Sequence, residues 1–438
     1  MIENKRFTLK KTSAQNVRTL PAAIEEIVGR KSLRWYVSEA DANEYVVEAS
    51  LSSDLSSDLS SDIEQRPSMK GARYYSDKTA VLNIIPTGVD CSIGGYAGDG
   101  APVTNLLAAT VDHLITNPNA VNASDFISLN DKIVYTDGCS LDQFMRGQVD
   151  LHVPYANRIG LIIEQADEWM LDVVFNIVNT VRAVHGVNIV DCVVTDEPIG
   201  GRCVINPSGA VAGTIDNPQA IYRACEKLIA RGANAIAITS NIKDLPLGDY
   251  ASHFDGRFPN PVGGVEAIIS YLISQRYQLP TAHAPLINIK ELDLKHHVVD
   301  ARGAGEFVST SGLACILIGL RRAAQITMEN AGPIAAAITL KNLLAVVTPA
   351  SCLGGIPQLY AQARGIPVIA VRSNETIFDV TQAKLGLGNV IEVHNYAEAT
   401  GVVIALKQGI SIESISRPLQ TIRQPTFEAE EMAVGVSQ

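Results

Sequence analysis

Val81-Leu-Asn-Ile-Ile-Pro-Thr-Gly-Val-Asp-Cys91-Ser-Ile-Gly94-Gly95 is an apolar run, a Pro-Thr turn, a cysteine and paired glycines. Leu343-Leu-Ala-Val-Val-Thr-Pro-Ala-Ser-Cys352-Leu-Gly354-Gly355 repeats that order with one residue fewer between cysteine and glycines. A short apolar run closed by Pro and Gly is the pattern of a strand buried on both faces. Each run leads into a helical stretch, so each reads as the first half of a βαβ crossover.

The same alternation extends outward. Strands are expected at Ala80–Ile85, His113–Thr116, Lys132–Tyr135, Arg158–Ile163, Ile189–Val194, Ala235–Thr239, Leu343–Val347 and Pro367–Val371. Helices are expected at Val103–Val111, Glu168–Val184, Pro218–Ala230, Val265–Gln275, Ser311–Ala323 and Ile356–Ala363. The pattern predicts an α/β fold of mainly parallel sheets flanked by helices, arranged as two Rossmann-like lobes. A small α+β unit precedes them: helix Leu20–Val28 and strands Leu33–Ser38 and Glu44–Ala49, joined at Asp41-Ala-Asn43. The expected divisions are this unit at 1–50, a low-complexity linker of Leu-Ser-Ser-Asp repeats within 51–78, lobes at 79–250 and 251–409, and a tail at 410–438.

Hydrophobic residues make up 47% of the 438-residue chain and aromatics 5%, a core of Ala, Val, Ile and Leu. A net charge of −11 without a basic stripe argues against a nucleic-acid partner. No window approaches 18 uninterrupted apolar residues, and the start, Met1-Ile-Glu-Asn-Lys-Arg, has no apolar h-region. Seven scattered cysteines suit reduced thiols. The expectation is a cytoplasmic chain with no membrane partner and a small anionic metabolite as ligand; a homo-oligomer is left open.

The glycines of the first loop, with Thr87, Gly88, Gly94 and Gly95, let backbone approach a ligand, and a following helix N-terminus would favour an anion. Their spacing matches neither G-x-G-x-x-G nor G-x-x-x-x-G-K-[ST], so no nucleotide is implied. Gly354 and Gly355 meet the same test. Strand carboxyl ends are where open α/β sheets bind ligands. The candidate chemistry is therefore Cys91, Cys352, Asp99 beside the first loop, and His283 near a strand end. Cys352, ahead of a helix, is expected to have a lowered thiol pKa. Asn117, Asn119, Asp196 and Asn374 follow strand ends and are read as one polar crevice; each alone would pass for turn chemistry. Glu266 reads as a helix-dipole residue. His296-His297 is a poor metal pair, and neither C-x-x-C nor H-E-x-x-H occurs, so no metal site is expected; no cofactor is assigned.

The loop Pro86-Thr-Gly…Gly94-Gly-Tyr-Ala-Gly-Asp99, with Thr116-Asn-Pro-Asn-Ala-Val-Asn122, Ala282-His-Ala-Pro285 and Ala350-Ser-Cys-Leu-Gly-Gly355, resembles a family of unknown function best known from phototrophic bacteria and plastids. The resemblance covers roughly residues 15–410, with the Leu-Ser-Ser-Asp repeats as an insertion, and it implies no reaction. Separately, Ile229–Thr239 is similar to a strand approach in cofactor-independent aspartate/glutamate racemases, which place a cysteine just after it. Thr239-Ser240-Asn241 stands there instead.

The expected function is an enzyme on a small carboxylate- or phosphate-bearing metabolite, with racemase, isomerase or lyase chemistry at the loop cysteines. The rivals are a hydrolase or amide-bond enzyme using Cys352 with His283 as base, and a non-catalytic metabolite-binding protein.

Overall fold

The computed structural model describes residues 2–11, 18–29, 32–54, 78–117, 122–123, 126–127, 130–243, 252–286, 298–309, 312–328 and 337–422. Asn119, His296, His297 and most of the Leu-Ser-Ser-Asp repeats lie outside these, as does the tail from 423.

The chain is α/β, with two parallel sheets flanked by helices and a small antiparallel unit at the N-terminus. The larger sheet has six strands, in the order Val390–Val393, Val368–Val371, Leu343–Pro349, Ala80–Asn83, His113–Thr116, Ile133–Tyr135. Every pairing in it is parallel. Numbered along the chain this is the order 3-2-1-4-5-6, the doubly wound arrangement of dinucleotide-binding folds. The smaller sheet has four strands, Ile189–Val194, Ile159–Ile163, Ala235–Ser240 and Thr281–Pro285, all parallel, in the order 2-1-3-4.

The sheets do not follow the chain division at 250. The six-stranded sheet takes three strands from 80–135 and three from 343–393, and the four-stranded sheet is built from the chain between them. Apolar runs identify strands without saying which strands pair, so a linear division could not show one lobe inserted into the other.

Strand periodicity explains the layering. Ala80, Leu82, Val346, Val368 and Ala370 face the N-terminal unit and the helices Gly138–Arg146 and Ile356–Ala363. Val81, Val347, Ile369 and Val371 face the other way, into a layer shared with Ile159, Leu161, Ile163, Ala235 and Ala237 of the smaller sheet. Helices Ala101–Ala108, Glu168–His185, Gly312–Leu320 and Tyr396–Lys407 contribute to that layer. Each fully buried Val, Leu or Ile contributes roughly 1.5–3 kcal/mol, against about 0–1 kcal/mol for an exposed ion pair. The shared layer, not surface charge, therefore joins the sheets. The outer face of the smaller sheet is covered by Pro218–Ala230 and Gly263–Tyr277.

The N-terminal unit orders Ile2–Lys10, Glu44–Ser52 and Ser32–Ala40 as an antiparallel sheet, with helix Leu20–Val28 beside it. The turn at Asp41 forms as expected: its carboxylate accepts from Asn43 N at 2.7 Å and Glu44 N at 2.9 Å. The strand Ile2–Lys10 was not legible, because charged residues interrupt its alternation. No helix among the described residues is long and apolar enough to cross a membrane.

A hairpin, Gly201–Ile205 with Val211–Ile215, receives the N-terminal end of helix Gly263–Tyr277. The approach is so close that a Cβ on Gly213 would lie 2.6 Å from Val265 Cα. Gly213→Ala should therefore cost about 1–3 kcal/mol by overpacking, read as a lower urea midpoint with an unchanged slope. An unchanged midpoint would show that the helix gives way freely.

Candidate functional site

Strands Ala80–Asn83 and Leu343–Pro349 are neighbours, yet their chains leave in opposite directions across the sheet, to His113–Thr116 and to Val368–Val371. Loops that diverge from adjacent parallel strands leave a crevice at their carboxyl ends. The two cysteine loops stand on either side of it, and a cavity of about 670 Å³ opens there. Cys91, Cys352 and His283 all line this cavity, as do Thr87, Gly88, Gly94, Gly95, Asn117 and Gly355.

Both loops are tied to one segment, 374–380. Asn374 is fully buried; its Oδ1 accepts from Ile93 N at 2.9 Å and its Nδ2 donates to Ile93 O at 3.0 Å and Tyr396 Oη at 2.9 Å. Ile377 N donates to Val89 O at 3.0 Å, and Val380 N to Ser351 O at 2.8 Å. Ser351 and Thr376 hydroxyls share a 2.8 Å hydrogen bond. Asn374 thus shapes the first loop from behind and does not line the cavity. Gly94 has φ +92, and a Cβ there would collide with Ile85, so the tight fold over the preceding strand requires glycine.

The thiols are neutral. Burial pushes Cys352 up to about 12. Burial first, then the nearness of Cys352, Asp99 and Asp90, pushes Cys91 well above the ordinary thiol value. Its Sγ donates to Pro86 O at 3.3 Å. The expected lowering of Cys352 is overturned: the helix it precedes begins at Ile356, and desolvation outweighs that dipole. The helix after the first loop opens at Ala101, two residues before the expected Val103, beyond the turn that follows Gly94 and Gly95.

His283 sits within strand Thr281–Pro285, its Nε2 2.8 Å from Ser240 Oγ and its Nδ1 3.2 Å from Glu266 Oε1. The tautomer with its proton on Nδ1, toward Glu266, leaves Nε2 to accept from the Ser240 hydroxyl. Glu266 lines the cavity from the first turns of helix Gly263–Tyr277 and so does more than favour a dipole. Sequence gave no signal for that reach beyond the Gly263-Gly264 pair that lets the helix approach. Asp90, also on the wall, has φ +52, a left-handed conformation that Asp tolerates better than most residues. Glu306 completes the acidic wall, accepting from Ala97 N at 2.8 Å.

Four expected site residues stand elsewhere or behind. Asp99 lies behind the first loop, accepting from Tyr96 N at 3.3 Å, and burial raises its carboxyl to about 7. Gly354 O accepts from Val37 N at 2.9 Å, docking the second loop on the N-terminal unit. Asp196 is exposed and paired with Arg223 at 2.7 Å. The expected single polar crevice therefore divides, Asn374 and Asp196 falling outside the cavity. The smaller sheet's own switch point, between Ile159–Ile163 and Ala235–Ser240, is closed by the buried Glu164. Its carboxylate accepts from Ile199 N at 2.7 Å and from Asn241 N at 2.7 Å. Among the described residues no group of three or more His, Cys, Asp or Glu side chains is gathered as a metal ion requires.

The model of a family described as proteins of unknown function, DUF3326, matches residues 79–416. The chain belongs to this family. The match begins at the strand that carries the first cysteine loop and takes in both sheets, leaving the N-terminal unit outside it. A relative from a Synechococcus species, an uncharacterized lipoprotein, is 34% identical over 343 residues, covering 77% of this chain and 93% of that protein. No solved structure matches.

Asp99 gives this DUF3326 chain a pH signature. A carboxyl raised from 3.8 to about 7 contributes stability that is fully present below the unfolded value and lost as pH rises through the folded one. Asp99→Asn should thus raise the urea midpoint relative to wild type at about pH 8 and not at about pH 4. An equal difference at both pH values would sink this assignment.

Proposed function

We propose that the switch-point cavity is the active site of an enzyme that moves protons on a small carboxylate- or phosphate-bearing metabolite, in the racemase, isomerase or lyase class. The observation that supports it is that Cys91, Cys352 and the His283–Glu266 pair, from both sheets, line one cavity. Its volume of about 670 Å³ is that of a small-molecule site.

Neutral thiols are poor nucleophiles and adequate proton donors, so their role is general acid. His283, backed by Glu266, is the base. Once the Ser240 hydroxyl turns away, His283 Nε2 takes a proton from the carbon beside the acid group. A thiol returns one to the same or an adjacent carbon, and the imidazolium and thiolate left behind re-equilibrate through solvent. The hydrolase reading loses support here, because burial raises the Cys352 thiol and weakens it as a nucleophile.

Native mass spectrometry of the purified chain should reveal a bound acid-bearing metabolite, and incubation in D2O should place deuterium on its carbon. His283→Asn, Cys91→Ser and Cys352→Ser should each slow that uptake by about 100-fold or more. A ligand recovered without label from the wild-type protein, and bound equally by the double cysteine variant, would make this a binding protein.

The chain works in the cytoplasm on this reading, supported by seven cysteines without a disulfide. The name of the Synechococcus relative, lipoprotein, carried over, would put it on a membrane surface instead. Cell fractionation should recover the chain with the cytosol; recovery in the membrane pellet would favour the lipoprotein reading.

A further inference from the structure

The N-terminal unit does more than cover a sheet face. Arg34 and Tyr36, on one face of strand Ser32–Ala40, both line the cavity. Among the described lining residues Arg34 is the only lysine or arginine. Its guanidinium carbon lies 5.7 Å from the centroid of the Tyr36 ring, which in turn packs 5.7 Å from the ring of Phe378, another wall residue. The Tyr36 hydroxyl is held on both sides, donating to Glu48 at 2.8 Å and accepting from Asn206 Nδ2 at 2.9 Å. Val37 N and the bridge from Tyr36 to Gly355 fasten the strand to the second cysteine loop. Arg34 is therefore placed by the same contacts that place Cys352.

Its charge is incompletely answered. The Arg34 Nε is buried and has no hydrogen-bond partner among the described residues. The charge of Asp142 reaches it, but the Asp142 carboxylate accepts from Tyr271 Oη at 2.7 Å and is biased more strongly by Arg146. Of the other acidic side chains of the wall, Asp137 takes Ser140, Glu266 faces His283, Glu306 takes Ala97 N, and Asp90 lies within the field of Arg302. A buried guanidinium donor without an acceptor is costly unless something else binds it. The planar fork matches a carboxylate or phosphate.

We infer that Arg34 is the residue that binds the acid group of the ligand, so that the N-terminal unit, outside the family-matched segment, sets which acids the cavity accepts. This rests on the cavity being the ligand site proposed above. It also orients the ligand: Asp90 on the first loop repels an anion that Arg34 attracts, so the acid group sits toward the N-terminal unit and the reacting carbon toward the cysteines and His283.

The chain's two tryptophans, Trp35 and Trp169, both line the cavity, so their fluorescence reads binding directly. Full-length protein is titrated with inorganic phosphate and, separately, with malonate. Wild type should show a saturable change with at least one of them. Arg34→Gln should bind at least about tenfold more weakly, and Arg34→Lys should fall between the two, with circular dichroism confirming that each variant is folded. Equal titration of wild type and Arg34→Gln, or no saturable change in wild type with either anion, overturns the inference. The proton-transfer reading falls separately: anion binding that depends on Arg34 alongside deuterium uptake indifferent to His283→Asn would leave this inference standing alone.

Discussion

The parallel pairing of Ala80–Asn83 with Leu343–Pro349 is the constraint on which the molecule rests. It registers Leu82 against Val346 and Asn83 against Val347, and Ile84 N continues it by donating to Val347 O at 2.8 Å. These strands come from opposite ends of the α/β region, and the whole four-stranded sheet is made by the chain between them. Because the chain leaves the two strands toward opposite edges, their loops cannot cover the gap between them. The crevice follows from the topology itself, before any side chain is considered.

What fills that gap from the sides is decided by packing. The larger sheet's inner face shares an apolar layer with the smaller sheet, which brings His283 and Glu266 to the same cavity as the cysteine loops. The N-terminal sheet closes another side through Val37 N and Gly354 O. Segment 374–380 braces both loops at once. The smaller sheet has a switch point too, but Glu164 uses it to satisfy backbone donors. One crevice is open and the other is sealed by the protein's own carboxylate.

Burial governs the electrostatics of the site. It keeps both thiols protonated and lifts Asp99 toward neutrality, against the direction in which nearby backbone N–H groups pull it. His283 takes its place between a hydroxyl and a carboxylate, which orients the ring. On the proposed reading, the acid and base roles fall to groups that differ in environment.

The sequence by itself determined the element types and the address of the crevice. Short apolar runs and period-3.6 patterns marked His113–Thr116, Ile189–Val194, Pro218–Ala230 and Ile356–Ala363 at the bounds the structure has, and the Pro, Gly and Cys of two matched loops marked the strand ends. These are local signals, set by backbone conformation and by burial of one face. Only the tertiary structure decided which strands are neighbours, and with it the interleaving of the lobes, the separation of Asp196 and Asn374 from the cavity, and the arrival of Arg34, Glu266 and Asp90 on its wall. Strand order is chosen by long-range packing between segments whose local patterns look alike. The charge state of a thiol is likewise chosen by how much protein surrounds it, which no spacing of residues along the chain records.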